Sequence, residues 1–322
     1  MADRVLVTGA TGFVGSHVAE AFVEAGYDVR VGARATSDLR WISSLDTERV
    51  PLDLRGKPED LSRALRDVDV VVHAAGITRA RRMEDYHEVN AAGTKRLADA
   101  ALEAGVRRIV LISSLAARGP DGRGHPESAY GRSKLEAEEH LRSLKDRIEV
   151  VTLRPAAVYG PRETDLLPLF RMARAGWLPI PPDADPLQPV YAEDAARAAL
   201  AAATLEPADF GPFPVAENRR YGWPDVIAGL ERALGRPVRA VRLPAAAFVL
   251  GGRAAELAAR PFSAVPLFDE RRGRDLALNA WTCDVSGTES ALGWRAEVPL
   301  MEGLERTARW YRQAGWLSMK RG

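Results

Sequence analysis

The chain reads as an α/β protein, a doubly wound parallel sheet with a smaller, mixed α/β C-terminal domain. Three observations predict this. Short aliphatic runs alternate with amphipathic stretches through the first half, and a glycine-rich turn joins the first run to the first amphipathic stretch. The regular alternation then fades after Arg154-Pro155. Near-continuous aliphatic runs are the pattern of parallel strands covered by helices on both faces.

Strands are predicted at Arg4–Thr8, Asp28–Gly32, Val50–Asp53, Val68–His73, Arg108–Ser113 and Glu149–Arg154. Helices are predicted between them at Gly12–Ala25, Pro58–Leu65, Tyr86–Ala104 and Ala129–Leu144. Gly26 and Gly105 stand where helix C-caps are expected. Prolines crowd Pro168–Pro189, Pro189–Ala203 is read as a strand and helix returning to the sheet, and Pro299–Gln313 as a closing amphipathic helix. The expected division is 1–160 plus the returning segment 189–204 for the sheet domain, and 161–188 with 205–322 for the second domain.

Composition narrows the function classes. The chain has 322 residues, 46% hydrophobic and 28% charged, with a net charge of +1. That leaves no field to attract nucleic acid or an anionic membrane. Cys283 is alone, and His17, His73, His87, His125 and His140 show no ligand spacing, so neither a disulfide nor a metal site is expected. The N-terminus enters a strand without a signal-peptide pattern, and the apolar stretch Leu243–Leu250 is too short to span a bilayer. The expectation is a cytoplasmic protein. Ala245–Ala259 is apolar enough to lie on a membrane surface, but a core helix or the cover of an apolar pocket is the better reading, because basic residues do not line its polar side.

Two motifs carry chemistry. The run Val5-Leu6-Val7-Thr8-Gly9-Ala10-Thr11-Gly12-Phe13-Val14-Gly15 places three glycines between a strand and a helix. Gly9 allows the tight turn, Gly12 lets backbone approach a pyrophosphate, and Gly15 lets the helix pack on the sheet. The helix N-terminus then offers free N–H groups to the anion. The second motif is Tyr130 with Lys134, at i and i+4 on one helix face. An ammonium beside a phenol favours phenolate and makes a proton donor and acceptor usable near neutrality. The lysine is one of five against forty arginines. A compact ammonium suits a ribose hydroxyl better than a planar guanidinium.

The GxxGxxG spacing with Tyr130 and Lys134 resembles the extended branch of the short-chain dehydrogenase/reductase superfamily, which includes the NAD-dependent epimerase/dehydratase family. The resemblance covers nearly the whole chain and implies a Rossmann-type fold. It implies that Thr11, Phe13 and Val14 join the glycines in holding a dinucleotide, with Asp53-Leu54 at the adenine and His73-Ala74-Ala75-Gly76 ending the fourth strand beside it. Val89-Asn90-Ala91-Ala92-Gly93-Thr94 matches a family helix in which Asn90 has a supporting role. Ser114 matches the catalytic serine. Arg154-Pro155-Ala156-Ala157-Val158-Tyr159-Gly160-Pro161 matches the loop along the nicotinamide, where Pro155 and Val158 would touch it. Val190-Tyr191-Ala192-Glu193-Asp194 matches a further family segment. Thr78, Ser114 and Tyr130 are then the residues implied to face substrate. Fifteen residues separate Ser114 from Tyr130, fewer than extended members usually carry, which implies a more open mouth or a different substrate.

The second strand ends Val31-Gly32-Ala33-Arg34 without the acid that selects NAD, and Arg34 can face a 2′-phosphate. NADP is therefore favoured, with NAD possible. Arg79, Arg81 and Arg82 read as an exposed, solvated cluster rather than an anion grip. Trp177, Trp223, Trp281, Trp294, Trp310 and Trp316 read as core or pocket wall, and Cys283 as a small buried apolar residue. The resemblance implies a homodimer through the Tyr86–Ala104 and Ala129–Leu144 helices, although Glu136, Glu138, Glu139 and Arg142 equally suit a solvated face. The leading expectation is an NAD(P)-dependent oxidoreductase acting on an alcohol or ketone of a small, largely apolar molecule, similar to dihydroflavonol reductases and 3β-hydroxysteroid dehydrogenases. A nucleotide-sugar epimerase or dehydratase is the second reading. It is weakened because Asp185-Pro186-Leu187-Gln188-Pro189-Val190 lacks the arginine those enzymes use for the diphosphate. A non-catalytic dinucleotide-binding sensor is the third.

Overall fold

A computed structural model describes residues 3–119, 123–181, 186–206, 209–259 and 281–317. Seven parallel strands form the central sheet: β1 (Arg4–Thr8), β2 (Asp28–Ala33), β3 (Glu48–Pro51), β4 (Val70–His73), β5 (Arg108–Ile112), β6 (Glu149–Pro155) and Phe213–Val215. Their order is β3-β2-β1-β4-β5-β6 followed by Phe213–Val215. The order reverses beside β1, and ligands of open α/β sheets bind outside the carboxyl ends of the strands at such a point. The predicted doubly wound, Rossmann-type architecture is therefore the observed one.

Strand alternation divides the core into two layers. Val5 and Val7 pack with α1 (Phe13–Glu24) on one face, and Leu6 points to the other, against Leu97 and Leu141. Those two leucines belong to the helix Gly93–Glu103 and to Ala129–Ser143. Two arginines fix helix ends to the sheet. Arg108 is fully buried and donates to Ala203 O at 2.6 Å and Leu205 O at 2.7 Å, while Arg30 donates to Ala64 O at 3.0 Å and Arg66 O at 2.6 Å. A guanidinium at a helix C-terminus satisfies free carbonyls and opposes the negative end of the dipole.

The fourth strand begins at Val70 rather than Val68, the predicted helix Tyr86–Ala104 is interrupted by a π-turn at His87–Ala92, and two further expectations shift. The third strand lies at Glu48–Pro51, two residues before the predicted Val50–Asp53. Pro51 pairs opposite Ala33 at the sheet edge, and the chain then turns, with Gly56 N donating to Asp53 O. A proline is tolerated at such an edge and ends the ladder. The returning strand Val190–Tyr191 pairs with Val158–Tyr159 in a separate two-stranded sheet, not with the central one. Its helix Ala192–Thr204 does return to the sheet, burying Ala195, Ala198, Ala199 and Ala202 against α1 and the strands. The seventh strand is Phe213–Val215, which is too short to show a period of its own in the sequence.

A second apolar core collects Tyr159, Phe170, Tyr191, Trp223, Leu304 and Tyr311. Trp223–Leu234 and the closing helix Leu300–Gln313 pack together here. Trp177 is 43% exposed, so this indole is neither core nor enclosed wall. In the helix Ala245–Ala259, Phe248 is buried whereas Leu250 and Leu257 are exposed, so it is not a core helix. No described helix is long and apolar enough to cross a membrane.

Candidate active site

The glycine turn leaves β1 with Gly9 at φ +73°, in the left-handed region, and a Cβ there would come within 2.6 Å of Ala75 N. Only glycine fits both demands. A Cβ at Gly15 would overlap the Gly9 carbonyl, so α1 can sit this close to the turn only without one. Gly12 is the N-cap of α1, with no side-chain cap and no acidic residue in the first turn. The positive end of the helix is thus open toward an anion.

One cleft of about 1020 Å³ runs over the carboxyl ends of the strands. Gly9, Thr11, Gly12, Phe13, Val14 and Gly15 line its floor. Arg34, Asp53 and Leu54 stand at one end, and Ala74, Ala75, Gly76 and Thr78 lie along the middle. Ser114, Tyr130, Lys134, Pro155 and Val158 line the remainder. Every residue singled out from the sequence for cofactor, substrate or proton transfer therefore borders the same space. Ser37, Arg55, Ile77 and the Glu163–Leu166 loop also line it and carried no recognisable motif, and Arg81 of the expected solvated cluster lines it as well. Arg79 lines it too, but it is ion-paired with Asp165 across the mouth rather than freely solvated.

Tyr130 sits in the first turn of Ala129–Ser143, capped by Ser128, whose hydroxyl accepts from Gly131 N at 3.0 Å. Its ring meets Tyr86 edge-on at 6.1 Å between centroids. Ser114 N-caps a 3₁₀ turn, and its Oγ accepts from Ala116 N at 3.2 Å. That use leaves the hydroxyl proton free to donate into the cleft. Lys134 is buried, and its Nζ donates to Ile112 O at 2.9 Å. Burial lowers its pKa to about 8 against the opposing pull of Glu138.

The lysine face of the helix continues into a buried ion pair. Glu138 accepts from Arg154 Nε at 2.9 Å, from Arg154 Nη2 at 2.5 Å and from Ser113 Oγ at 2.5 Å. Glu138 is 2% exposed, so it does not belong with the solvated Glu136, Glu139 and Arg142. The signal was present in the spacing: Tyr130, Lys134 and Glu138 follow at i, i+4 and i+8, one stripe of the helix.

A directed hydrogen-bond chain fixes the opposite wall. Ala75 N donates to Thr8 Oγ1 at 3.2 Å, Thr8 Oγ1 meets His73 Nδ1 at 2.7 Å, His73 Nε2 meets Thr94 Oγ1 at 2.8 Å, and Thr94 Oγ1 donates to Asn90 O at 2.6 Å. Because Thr94 spends its proton on Asn90 O, donor counting puts the ring proton of His73 on Nε2, and Thr8 donates to Nδ1. Burial, and then Lys134, depress the His73 pKa to about 3, so the ring is neutral. Asn90 lies in a π-helical turn, His87–Ala92, a widening frequent at functional sites. Its amide accepts from Ile77 N at 2.8 Å and donates to Ile77 O and Ser133 Oγ, each at 3.0 Å. Ser133 Oγ in turn donates to Tyr130 O at 2.7 Å. Asn90 therefore ties the Ile77 loop to the tyrosine helix, the supporting role expected for it.

No group of three or more His, Cys, Asp or Glu suited to a metal occurs among the described residues. Cys283 is buried, and burial raises its pKa to about 11.

Residues 5–210 match the model of the NAD dependent epimerase/dehydratase family. The chain is 34% identical to a ceramide reductase of Caulobacter vibrioides over 316 residues, 97% of this chain and 96% of that protein. It is 28% identical to a UDP-glucose 4-epimerase of Vibrio cholerae over 339 residues, 98% of this chain and 97% of that protein. In structure it is similar to gox2253, with a TM-score of 0.80 at 26% identity, covering 98% of this chain and 100% of that one. With the family model spanning most of the sheet half and a relative aligned nearly end to end, this chain belongs to the NAD dependent epimerase/dehydratase family.

Proposed function

We propose that the protein is an NAD(P)-dependent oxidoreductase of the extended short-chain type, acting on an alcohol or ketone of a largely apolar small molecule. The observation that carries this reading is the single cleft shared by the glycine turn, Ser114, Tyr130 and Lys134. The open helix end, and a turn too close to Ala75 for any Cβ, fit a dinucleotide diphosphate. A bound nicotinamide cofactor supplies or accepts the hydride. Tyr130 gives or takes the proton at the substrate oxygen, and Ser114 donates a hydrogen bond to that same oxygen. Lys134, as a cation, favours the phenolate and reaches a ribose hydroxyl.

NADP is the favoured cofactor, since β2 ends at Ala33, followed by Arg34, without the acid that would select NAD, and Arg34, Ser37 and Arg55 line that end of the cleft beside Asp53. The cleft wall beside Ser114 and Tyr130 includes the apolar Ile77, Ala156, Ala157 and Val158, which suits a largely apolar substrate. The end-to-end likeness to a protein named for reducing ceramide points the same way. A sugar-nucleotide epimerase is the second reading, favoured by the equally complete alignment with a UDP-glucose 4-epimerase. Against it, Gln188 spends its amide inside the protein, on Glu217 O at 2.6 Å and Cys283 N at 2.8 Å. Asp185 lies outside the described residues. The proposed organisation is a dinucleotide-binding domain of 1–160 with 189–204 and a substrate domain from the remainder, in a cytoplasmic homodimer.

The test is turnover of a panel of ketones and long-chain carbonyl compounds with NADPH and NADH. Tyr130→Phe is expected to lower kcat by about 10²–10⁴-fold while leaving cofactor Kd unchanged. Turnover within a few-fold of the parent would remove Tyr130 from the proton step. Tightly retained NAD with interconversion of a UDP-sugar would put the epimerase reading first.

A further inference from the structure

The lips of the cleft are held from outside it by one aromatic cluster. Trp41 lies in the loop after β2, the same loop whose Arg34 and Ser37 line the cleft, and Trp41 itself does not. Its indole meets Trp310, in the last turn of the closing helix, at 5.5 Å and Trp316, three residues past its end, at 6.3 Å between centroids. Trp310 and Trp316 meet each other edge-on at 4.9 Å, and Trp316 stacks on Tyr311 at 5.7 Å. Tyr311 Oη then donates to Glu163 O at 2.8 Å, and Glu163 opens the second lip, Glu163–Leu166. Glu163 accepts from Asp165 N and Leu166 N at 2.5 Å each, which sets the shape of that loop.

Arg162 closes the circuit. It is a non-glycine residue at φ +72°, a conformation that persists where surrounding contacts over-determine it. Its guanidinium donates to Ser16 Oγ at 3.1 Å and Glu20 Oε1 at 2.9 Å on α1, and lies 5.7 Å from the Trp41 ring centre. Beside it His17 contacts Pro161 O at 3.1 Å. The helix that presents its N-terminus to the cleft, both lips and the closing helix thus meet at Arg162 and Trp41.

We infer that Trp41, clamped between Arg162 and the Trp310–Trp316 pair, is a positioning residue for dinucleotide binding. It holds the loop after β2 against the C-terminal part of the chain so that the adenosine end of the cleft is preformed. The inference rests on the proposed use of the cleft for NAD(P). A preformed loop leaves less ordering to be done on binding, so loosening it weakens affinity without touching the reacting groups. Loss of the ring is expected to cost both dinucleotides equally, because it disorders the lip rather than removing a phosphate contact.

The experiment is calorimetric titration of NADPH and NADH into the full chain and its variants, with kcat measured at saturating cofactor. Trp41→Ala is expected to raise both Kd values about tenfold, from lost aromatic and cation–π contacts. Trp41→Phe is expected to restore most of the affinity, and kcat to stay within twofold. Tyr311→Phe, which removes only the bond to Glu163 O, is expected to raise Kd about two- to threefold. Trp41→Leu keeps apolar volume and serves in place of Trp41→Ala if that variant does not fold. Kd values within twofold of the parent for both Trp41→Leu and Tyr311→Phe overturn the inference, as does a kcat loss matching the loss in kcat/KM. A parent protein that binds neither dinucleotide overturns the cofactor reading and this inference together, whereas parent binding with unaffected variants overturns this inference alone.

Discussion

The Tyr130 stripe and the second core both bury ionisable side chains, and they treat them in opposite ways. Along Ala129–Ser143 every buried charge has a partner: Glu138 takes three hydrogen bonds from Arg154 and Ser113, and Lys134 reaches Ile112 O. In the second core, Tyr221 donates to one oxygen of Glu217, but Glu217 Oε1 and Tyr159 Oη have no hydrogen-bond partner among the described residues. Burial pushes the Glu217 carboxyl up to about 7 and raises Tyr159 far above an ordinary phenol. The first region gives its buried charged groups partners beside the cleft, and the second shifts its acids toward the neutral form by burial without a full set of partners. Burial alone therefore does not mark a reactive group. The stripe is a candidate site because its charge is balanced and open to a cleft.

Breaking the balanced region has the largest expected effect. Glu138→Ala leaves the Arg154 guanidinium buried without its carboxylate, and denaturant unfolding is expected to show a loss of about 3–5 kcal/mol. Replacing both Glu138 and Arg154 with apolar residues of similar volume is expected to recover much of that loss. If Glu138→Ala cost no more than a surface substitution, the pair would not be the buried anchor described.

The second core is tested by crowding. Gly303 faces Tyr159 so closely that a Cβ would overlap its phenol. Gly303→Ala is expected to lower stability by about 1–3 kcal/mol through overpacking. Adding Tyr159→Phe, which also deletes the unpartnered hydroxyl, is expected to relieve part of that loss. Equal stability of the single and double variants would show that the phenol oxygen is not the obstacle.

The smallest effect sharpens the contrast through pH. Glu217 has a folded pKa raised from 4.5 to about 7, so between those values the folded state holds a proton that the unfolded state lacks. Its contribution is therefore fully present below about pH 4.5 and is lost as pH rises through 7. Glu217→Gln is expected to gain stability relative to the parent between pH 5 and pH 8, read as a growing difference in Tm. A difference independent of pH would mean that Glu217 does not titrate in this range.

Much of the first half was legible because its signals are local. The glycine turn, the aliphatic strands and the i, i+4 pair each declare themselves within a few residues, and β1 lies where it was predicted. Glu138 was misread because charge alone suggested a solvated face, while its partner Arg154 lies 16 residues away on a strand of the central sheet. Trp41 was passed over because nothing adjacent marks it, and its meaning depends on Trp310 and Trp316 far along the chain.

The fold class, the glycine turn and the tyrosine–lysine pair are readable from local pattern alone, since these depend on backbone sterics and helical spacing that operate over a few residues. Tertiary structure alone decided which side chains share the cleft, that Glu138 is balanced by Arg154, that the seventh strand is Phe213–Val215, and that the returning strand pairs outside the main sheet. Those outcomes depend on contacts between distant segments, whose desolvation and packing are settled only when the chain closes on itself.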